Sequence, residues 1–136
     1  MTERMTAQAA RDLLAAQAKR SKYGAKRTSL DGISFDSKAE ADRYAALKLR
    51  ERAGAITHLQ LQPSYELKIA PDKPIKIRSK GNPGGRRIVY KADFRYFDVE
   101  RGRVVVEDVK GQDTPLSRLK RAIVEVYYGV VVEIVR

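Results

Sequence analysis

The sequence predicts an α/β chain with a mixed central sheet flanked by helices, in the order helix, three strands, helix, strand. Three observations carry this expectation. A capped helical run opens at Ser37, alternating apolar runs separated by turn signals fill residues 56–110, and a second capped helix from Thr114 leads into a valine-rich last strand.

Taken in order, Thr6 to Arg20 is helical in composition, with Ala9, Leu13, Ala16 and Arg20 on one side. Together with the basic, glycine-interrupted connector Lys19–Arg27 it forms an N-terminal extension over residues 1–30, and residues 31–136 form the main domain. Ser37-Lys38-Ala39-Glu40 starts a helix that runs to about Arg52 and stops at Gly54. Ser37 and Glu40 have capping-box spacing. Glu40 also shares a stripe with Tyr44 and Leu47, so it serves either as a cap or as an inward-facing carboxylate.

Residues 56–69 alternate in two stretches broken by Pro63, as a bent strand or a strand pair with the proline at an edge or bulge. Gln62 beside the break offers an amide either to a phosphate or bound water or to the turn. His58 has no partner nearby in sequence and receives no role. Residues 70–87 combine prolines and glycines with Lys73, Lys76, Arg78, Lys80, Arg86 and Arg87, a long cationic hairpin or loop suited to a nucleic-acid backbone.

Ile88 to Val99 alternates again, with Asp93 on the more polar face, and the turn Asp98–Gly102 joins it to the strand Arg103–Lys110. A hairpin centred there pairs positions whose numbers sum to about 201, which sets Asp93 beside Asp108. On the second strand Val106, Asp108 and Lys110 share one face, and Glu107 takes the other. Thr114-Pro115 then caps a helix that ends at Gly129 and carries Leu116, Leu119, Ile123 and Tyr127 inward. Val130–Val135 is an almost wholly apolar strand, expected to be central or buried on both faces and, by a right-handed crossover, parallel to strand 103–110.

Composition narrows the chemistry. The 28 Lys and Arg against 17 Asp and Glu leave a net charge of +11, which suits a polyanionic partner. With no cysteine and one histidine, thiolate zinc sites, disulfides and imidazole-rich metal sites are excluded, so any metal must be held by oxygen. No apolar run has transmembrane length and no secretory segment opens the chain, so an intracellular protein without a membrane partner is expected. Two aspartates side by side on a sheet repel each other unless a cation lies between them, and Mg²⁺ commonly takes one or two carboxylates with water and phosphate oxygens. The alternative is a solvated face on which Lys91, Arg95 and Lys110 serve as counter-charges.

Ser37-Lys38-Ala39-Glu40, Lys91-Ala92-Asp93-Phe94 and Val106-Glu107-Asp108-Val109-Lys110-Gly111 resemble the PD-(D/E)XK nuclease superfamily, in particular a small phage-encoded branch similar to Holliday-junction resolvases. The resemblance covers about residues 30–136, and Ala92 stands where the naming proline would be. It implies a restriction-endonuclease-like αβββαβ core and symmetric phosphodiester hydrolysis of four-way junctions, leaving a 5′-phosphate and a 3′-hydroxyl. Mg²⁺, with Mn²⁺ able to substitute, would be bound by Asp93, Asp108 and the Val109 carbonyl and completed by Glu40, with Lys110 as the fourth catalytic residue beside the three carboxylates. Branched double-stranded DNA would lie on Lys76, Arg78, Lys80, Arg86, Arg87 and Lys120. A homodimer in the host cytoplasm, associating through the valine-rich strand and helix 115–128, and no small-molecule cofactor complete the implied picture. The other readings are a nuclease of the same superfamily with another DNA task, such as nicking, restriction-like cleavage or transposon end processing, and a non-catalytic basic nucleic-acid-binding module in which Glu40 is only a cap and Asp93 and Asp108 are solvated.

Overall fold

The structure is a computed structural model and describes residues 27–136; the expected helix Thr6–Arg20 and the basic connector through Lys26 lie outside the described residues. The chain divides into two units, Met1–Asp42 and Arg43–Arg136. Its architecture is mixed α/β and rich in strands, with two helices and a mixed four-stranded sheet among the described residues.

In the first unit β1 (Thr28–Leu30) and β2 (Ile33–Phe35) form an antiparallel hairpin. Its turn residues Asp31 and Gly32 both have positive φ, 53° and 74°, the geometry an Asp-Gly pair favours in a two-residue hairpin. Helix α1 (Lys38–Arg52) begins where expected, and the Glu40 N–H donates to Ser37 Oγ at 3.1 Å. Its end coincides with Gly54 at φ 78°, a left-handed stop that a glycine adopts without strain.

The central sheet has the order β12, β11, β10, β3, built from Val132–Val135, Arg103–Val109, Phe94–Asp98 and Ile56–Leu61. The β10–β11 hairpin has the expected register, Phe94 opposite Glu107 and Asp98 opposite Arg103. The parallel pairing of β12 with β11 is also as expected, Val106 matching Val132. Its position is not, because β12 lies at the edge of the sheet and only Val132 is buried. The almost wholly apolar run misled here, since packing of one face and a neighbouring strand suffices to recruit valines.

The expected bent strand at Pro63 is three short strands, β3, β4 (Ser64–Glu66) and β5 (Lys68–Ala70). The strand expected over Ile88–Val99 is likewise broken, into β9 (Val89–Lys91), which pairs with β4, and β10. The cationic segment folds as two hairpins, β5 with β6 (Lys73–Pro74) and β7 (Lys76–Ser79) with β8 (Asn82–Arg87). Gly85, at φ 86°, permits the close approach inside the second hairpin, because a Cβ there would fall 2.8 Å from Lys76 Cβ.

Helix α2 (Pro115–Tyr128) has its expected caps, Thr114 Oγ1 accepting from the Ser117 N–H at 3.1 Å and Gly129 at φ 67°. Of the residues expected to face inward, Ile123 packs against the core, but in the first two turns the inward face is displaced. Arg121 and Val124 are buried, whereas Leu116 and Leu119 are 62% and 59% exposed and line an open groove of about 480 Å³ with Ile75, Ile77 and Ile88. The displacement follows from Arg121, whose paired bonds of 2.7 Å to Asp113 let a cation occupy the core-facing stripe.

Both faces of the sheet are covered. On one, Tyr65, Leu67, Tyr90, Ala92, Val106, Val124 and Val132 form a contiguous core. On the other lie Phe94, Tyr96, Val105 and the carboxylates of Glu107 and Asp98. Glu107, fully buried, receives Arg43 Nε at 2.7 Å and Nη2 at 2.6 Å, and the Tyr96 hydroxyl. Burial, then the bond to Glu107, raises the Tyr96 hydroxyl to about 12, and Glu107 raises the Arg43 guanidinium. Asp98 accepts the Arg101 N–H at 3.0 Å and meets Arg50 at 3.3 Å, anchoring the hairpin turn.

Arg43→Met is expected to destabilise the fold by about 3–5 kcal/mol, because it strands a buried carboxylate. Denaturant unfolding checks this, and a loss below about 1 kcal/mol would show that Glu107 does not depend on Arg43. The Arg101 N–H holds Asp98 below the usual carboxylate range, and the Arg121 guanidinium does so for Asp113. Their folded-state values lie below their unfolded ones, so their stabilisation is complete above about pH 4 and is lost as pH falls through the folded values. Replacing both with Asn should flatten the acid limb of a melting-temperature profile; an unchanged limb would refute the assignment.

Candidate active site

The expected register between β10 and β11 reaches Phe94 opposite Glu107, and Asp93 follows at a bend. Asp93 lies just outside β10, in the break between β9 and β10, and the hydrogen bonds around it are those of a fixed corner. Its N–H donates to the Glu107 carbonyl at 3.0 Å and its own carbonyl accepts the Gln62 N–H at 2.8 Å. Its Oδ2 accepts the Val109 N–H at 2.7 Å. Asp93 is thereby tied to two stretches of chain, β11 and the exit from β3, with its carboxylate on the N–H of the residue that follows Asp108.

Asp108 sits near the end of β11 on the Val106 face, as strand phase required, with a side chain only 7% exposed. A bare carboxylate there would be costly, and two donors meet it. The Tyr90 hydroxyl donates to Oδ2, and Lys110 Nζ lies 3.4 Å from the same oxygen. The Lys110 N–H donates to the Val135 carbonyl at 3.0 Å, so the last strand fixes the backbone that carries the ammonium. Burial and then the bond to Asp108 push the Tyr90 hydroxyl well above the ordinary tyrosine range, so it remains a proton donor to that carboxylate.

Tyr90 is the residue that sequence reasoning missed. By count it shares the phase of Phe94, which faces Glu107, but the bend at Ala92–Asp93 turns β9 away so that Tyr90 joins Val106 and Val124 on the opposite face. Arg121, buried beside it and paired to Asp113, extends the network from Asp108 to the start of α2.

Gln62, at φ 52°, ties its backbone N–H to the Asp93 carbonyl. His58 is exposed at φ 57° in a bulge of β3 opposite Tyr96, and its partner, not foreseen from the sequence, is the neighbouring Thr57 hydroxyl, 3.0 Å from Nδ1. Glu107 lies on the face opposite Asp108, as strand phase required. Glu40 stands in the first turn of α1, half-buried, in the first unit. Lys76, Arg78, Lys80, Arg86 and Arg87 are all exposed on the β7–β8 hairpin, with Arg87 3.2 Å from Glu66, and Lys120 is half-buried on α2.

Asp93, Asp108 and the Val109 carbonyl would supply a metal with oxygen donors alone. Among the described residues no three side chains of His, Cys, Asp or Glu gather as a metal-holding group. The set nonetheless fits a hard divalent cation that takes its remaining ligands from water and phosphate, as Mg²⁺ does. No helix among the described residues is long and apolar enough to cross a membrane.

No curated protein and no solved structure matches the chain. The family described as protein of unknown function DUF1064 matches residues 20–135, most of the chain, and the chain belongs to that family.

Proposed function

We propose that the protein is a metal-dependent DNA endonuclease with a restriction-endonuclease-like core, acting on four-way junctions as the resemblance to junction resolvases implies. The observation that carries the reading is that Asp93 Oδ2 takes the N–H of Val109, the residue next to Asp108, while Lys110 Nζ lies 3.4 Å from the Asp108 carboxylate. Unpaired cationic side chains would be enough for a binding module. Two carboxylates gathered at the end of a buried strand are a poor surface for DNA unless they serve a cation.

A divalent cation bound there would lower the pKa of a coordinated water and neutralise charge on the scissile phosphate. Asp93 and Asp108, with the Val109 carbonyl, would hold it, and the hydrogen bonds from Val109 N–H and Tyr90 keep the two carboxylate planes from rotating. The Lys110 ammonium, anchored by Asp108, offsets the negative charge that grows on the phosphate oxygens and orients the attacking water. Water oxygen bonds to phosphorus as the P–O3′ bond breaks, leaving a 5′-phosphate and a 3′-hydroxyl that takes up a proton. Glu40 rests on the resemblance alone. Cutting two symmetric strands calls for two such sites, hence a homodimer.

The test is cleavage of a labelled four-way junction beside matched linear duplex, with Mg²⁺ and with EDTA. Paired metal-dependent cuts in the junction support the full reading, equal cutting of linear DNA replaces the substrate, and binding without cutting leaves a basic binding module. Asp108→Asn is expected to abolish cleavage and spare DNA binding, whereas Glu107→Gln lowers the melting temperature but retains most activity of the folded protein; the reverse ranking would overturn the assignment of strand faces. Tyr90→Phe is expected to weaken divalent-cation binding by roughly 10–100-fold, read by calorimetry without DNA. An unchanged affinity would remove Tyr90 from the site.

A further inference from the structure

A second cavity, of about 310 Å³, opens between β9 and the first turns of α2 and shares Tyr90 and Lys110 with the aspartate pair. Its polar lining is Tyr90, Lys91, Lys110, Thr114, Ser117 and Lys120, three ammonium groups and three hydroxyls with no carboxylate among them. Lining one cavity with like charges is unfavourable in the absence of an anion.

The hydroxyls sharpen the point. Thr114 Oγ1 accepts from the Ser117 N–H at 3.1 Å, and Ser117 Oγ accepts from Arg121 Nη1 at 3.3 Å. Each hydroxyl is thus engaged as an acceptor, and its own proton remains to be donated. The Tyr90 proton is already given to Asp108. What the cavity offers a ligand is therefore ammonium and hydroxyl donors, a set that matches a phosphate group and mismatches a neutral or cationic one.

We propose that this cavity is a phosphate-binding subsite that seats a nucleic-acid phosphate next to the reacting one, with Lys91, Lys120, Thr114 and Ser117 as its donors. The identity of the strand as substrate rests on the nuclease reading; the binding chemistry does not. Because Lys110 both lines this cavity and lies 3.4 Å from the Asp108 carboxylate, a strand seated in the subsite is held in register with that carboxylate. The seated group is either an internal diester or a terminal phosphomonoester.

The experiment measures binding of a labelled DNA duplex to the full chain by anisotropy across a salt series, without divalent cation, for wild type, Lys91→Met, Lys120→Met and the double variant. Circular dichroism and melting temperature confirm folding of each. One lost phosphate contact lowers the slope of log K against log salt by about 0.9. The double variant should show that loss with several-fold weaker binding. Duplexes with and without 5′-phosphates separate the two sources: an affinity gain from the terminal phosphate that vanishes in the double variant identifies the monoester, and an equal loss on both duplexes identifies the diester.

An unchanged slope in the double variant, while neutralising Lys76, Arg78 and Lys80 lowers it, would overturn the subsite and leave the nuclease untouched. So would a wild type that shows no salt-dependent binding. A lowered slope in a protein that never cleaves would keep the subsite and reject the nuclease reading.

Discussion

The phase of β11 depends on the charge of Glu107. Val104, Val105 and Val106 precede it, and Val105 through Asp108 are all buried, so the strand offers almost no apolar-polar alternation to choose its register. A slip of one residue would exchange the faces of Glu107 and Asp108. The two-pronged bond from Arg43 and the hydroxyl of Tyr96 accept a carboxylate on one face only. With Glu107 so placed, Asp108 must turn to Tyr90, Lys110 and the Asp93 corner. Burying an ion pair contributes little net stability on its own, but here it discriminates between two otherwise similar packings.

That constraint explains why much of the candidate site was legible. The register between residues 94 and 107 follows from turn length and strand period, which are local, and both helix starts follow from side-chain caps at Ser37 and Thr114. Tyr90 was hidden because its role depends on a bend at Ala92–Asp93, and counting by twos across a bend assigns the wrong face. The bend has no glycine or proline of its own. It is imposed from across the fold, where the Pro63 carbonyl accepts the Ala92 N–H at 3.1 Å and the Gln62 N–H reaches the Asp93 carbonyl. The inward face of α2 was misjudged for a similar reason. Apolar periodicity pointed to Leu116 and Leu119, and an Arg121–Asp113 pair several residues apart rotated the buried stripe.

Two of the three non-glycine residues with positive φ among the described residues belong to β3 and its exit. Gln62 holds a left-handed backbone conformation at the exit from β3, and His58 holds another at the bulge in that strand. Non-glycine residues there cost of order 1 kcal/mol each, and such strain persists only where surrounding structure over-determines it. At Gln62 the over-determination is visible, since its N–H is one of three ties that hold Asp93. At His58 the bulge lets β3 follow β10 past Tyr96, whose hydroxyl serves Glu107.

Adjacent residues of one strand therefore divide two tasks. Glu107 turns toward α1 and is consumed by Arg43, leaving no acceptor for a ligand to exploit, while Asp108 turns toward α2 and is met by a phenol and a half-exposed ammonium. A phenol and an ammonium satisfy a carboxylate without closing it off as a bidentate guanidinium does. The strand thus keeps its stabilising charge where it is sealed and its chemically available charge where a cavity, three lysines and the cationic β7–β8 hairpin lie in the same unit. Exchanging the two partners, guanidinium for phenol, would leave the fold a buried pair on each face and remove the open carboxylate on which the proposed chemistry depends.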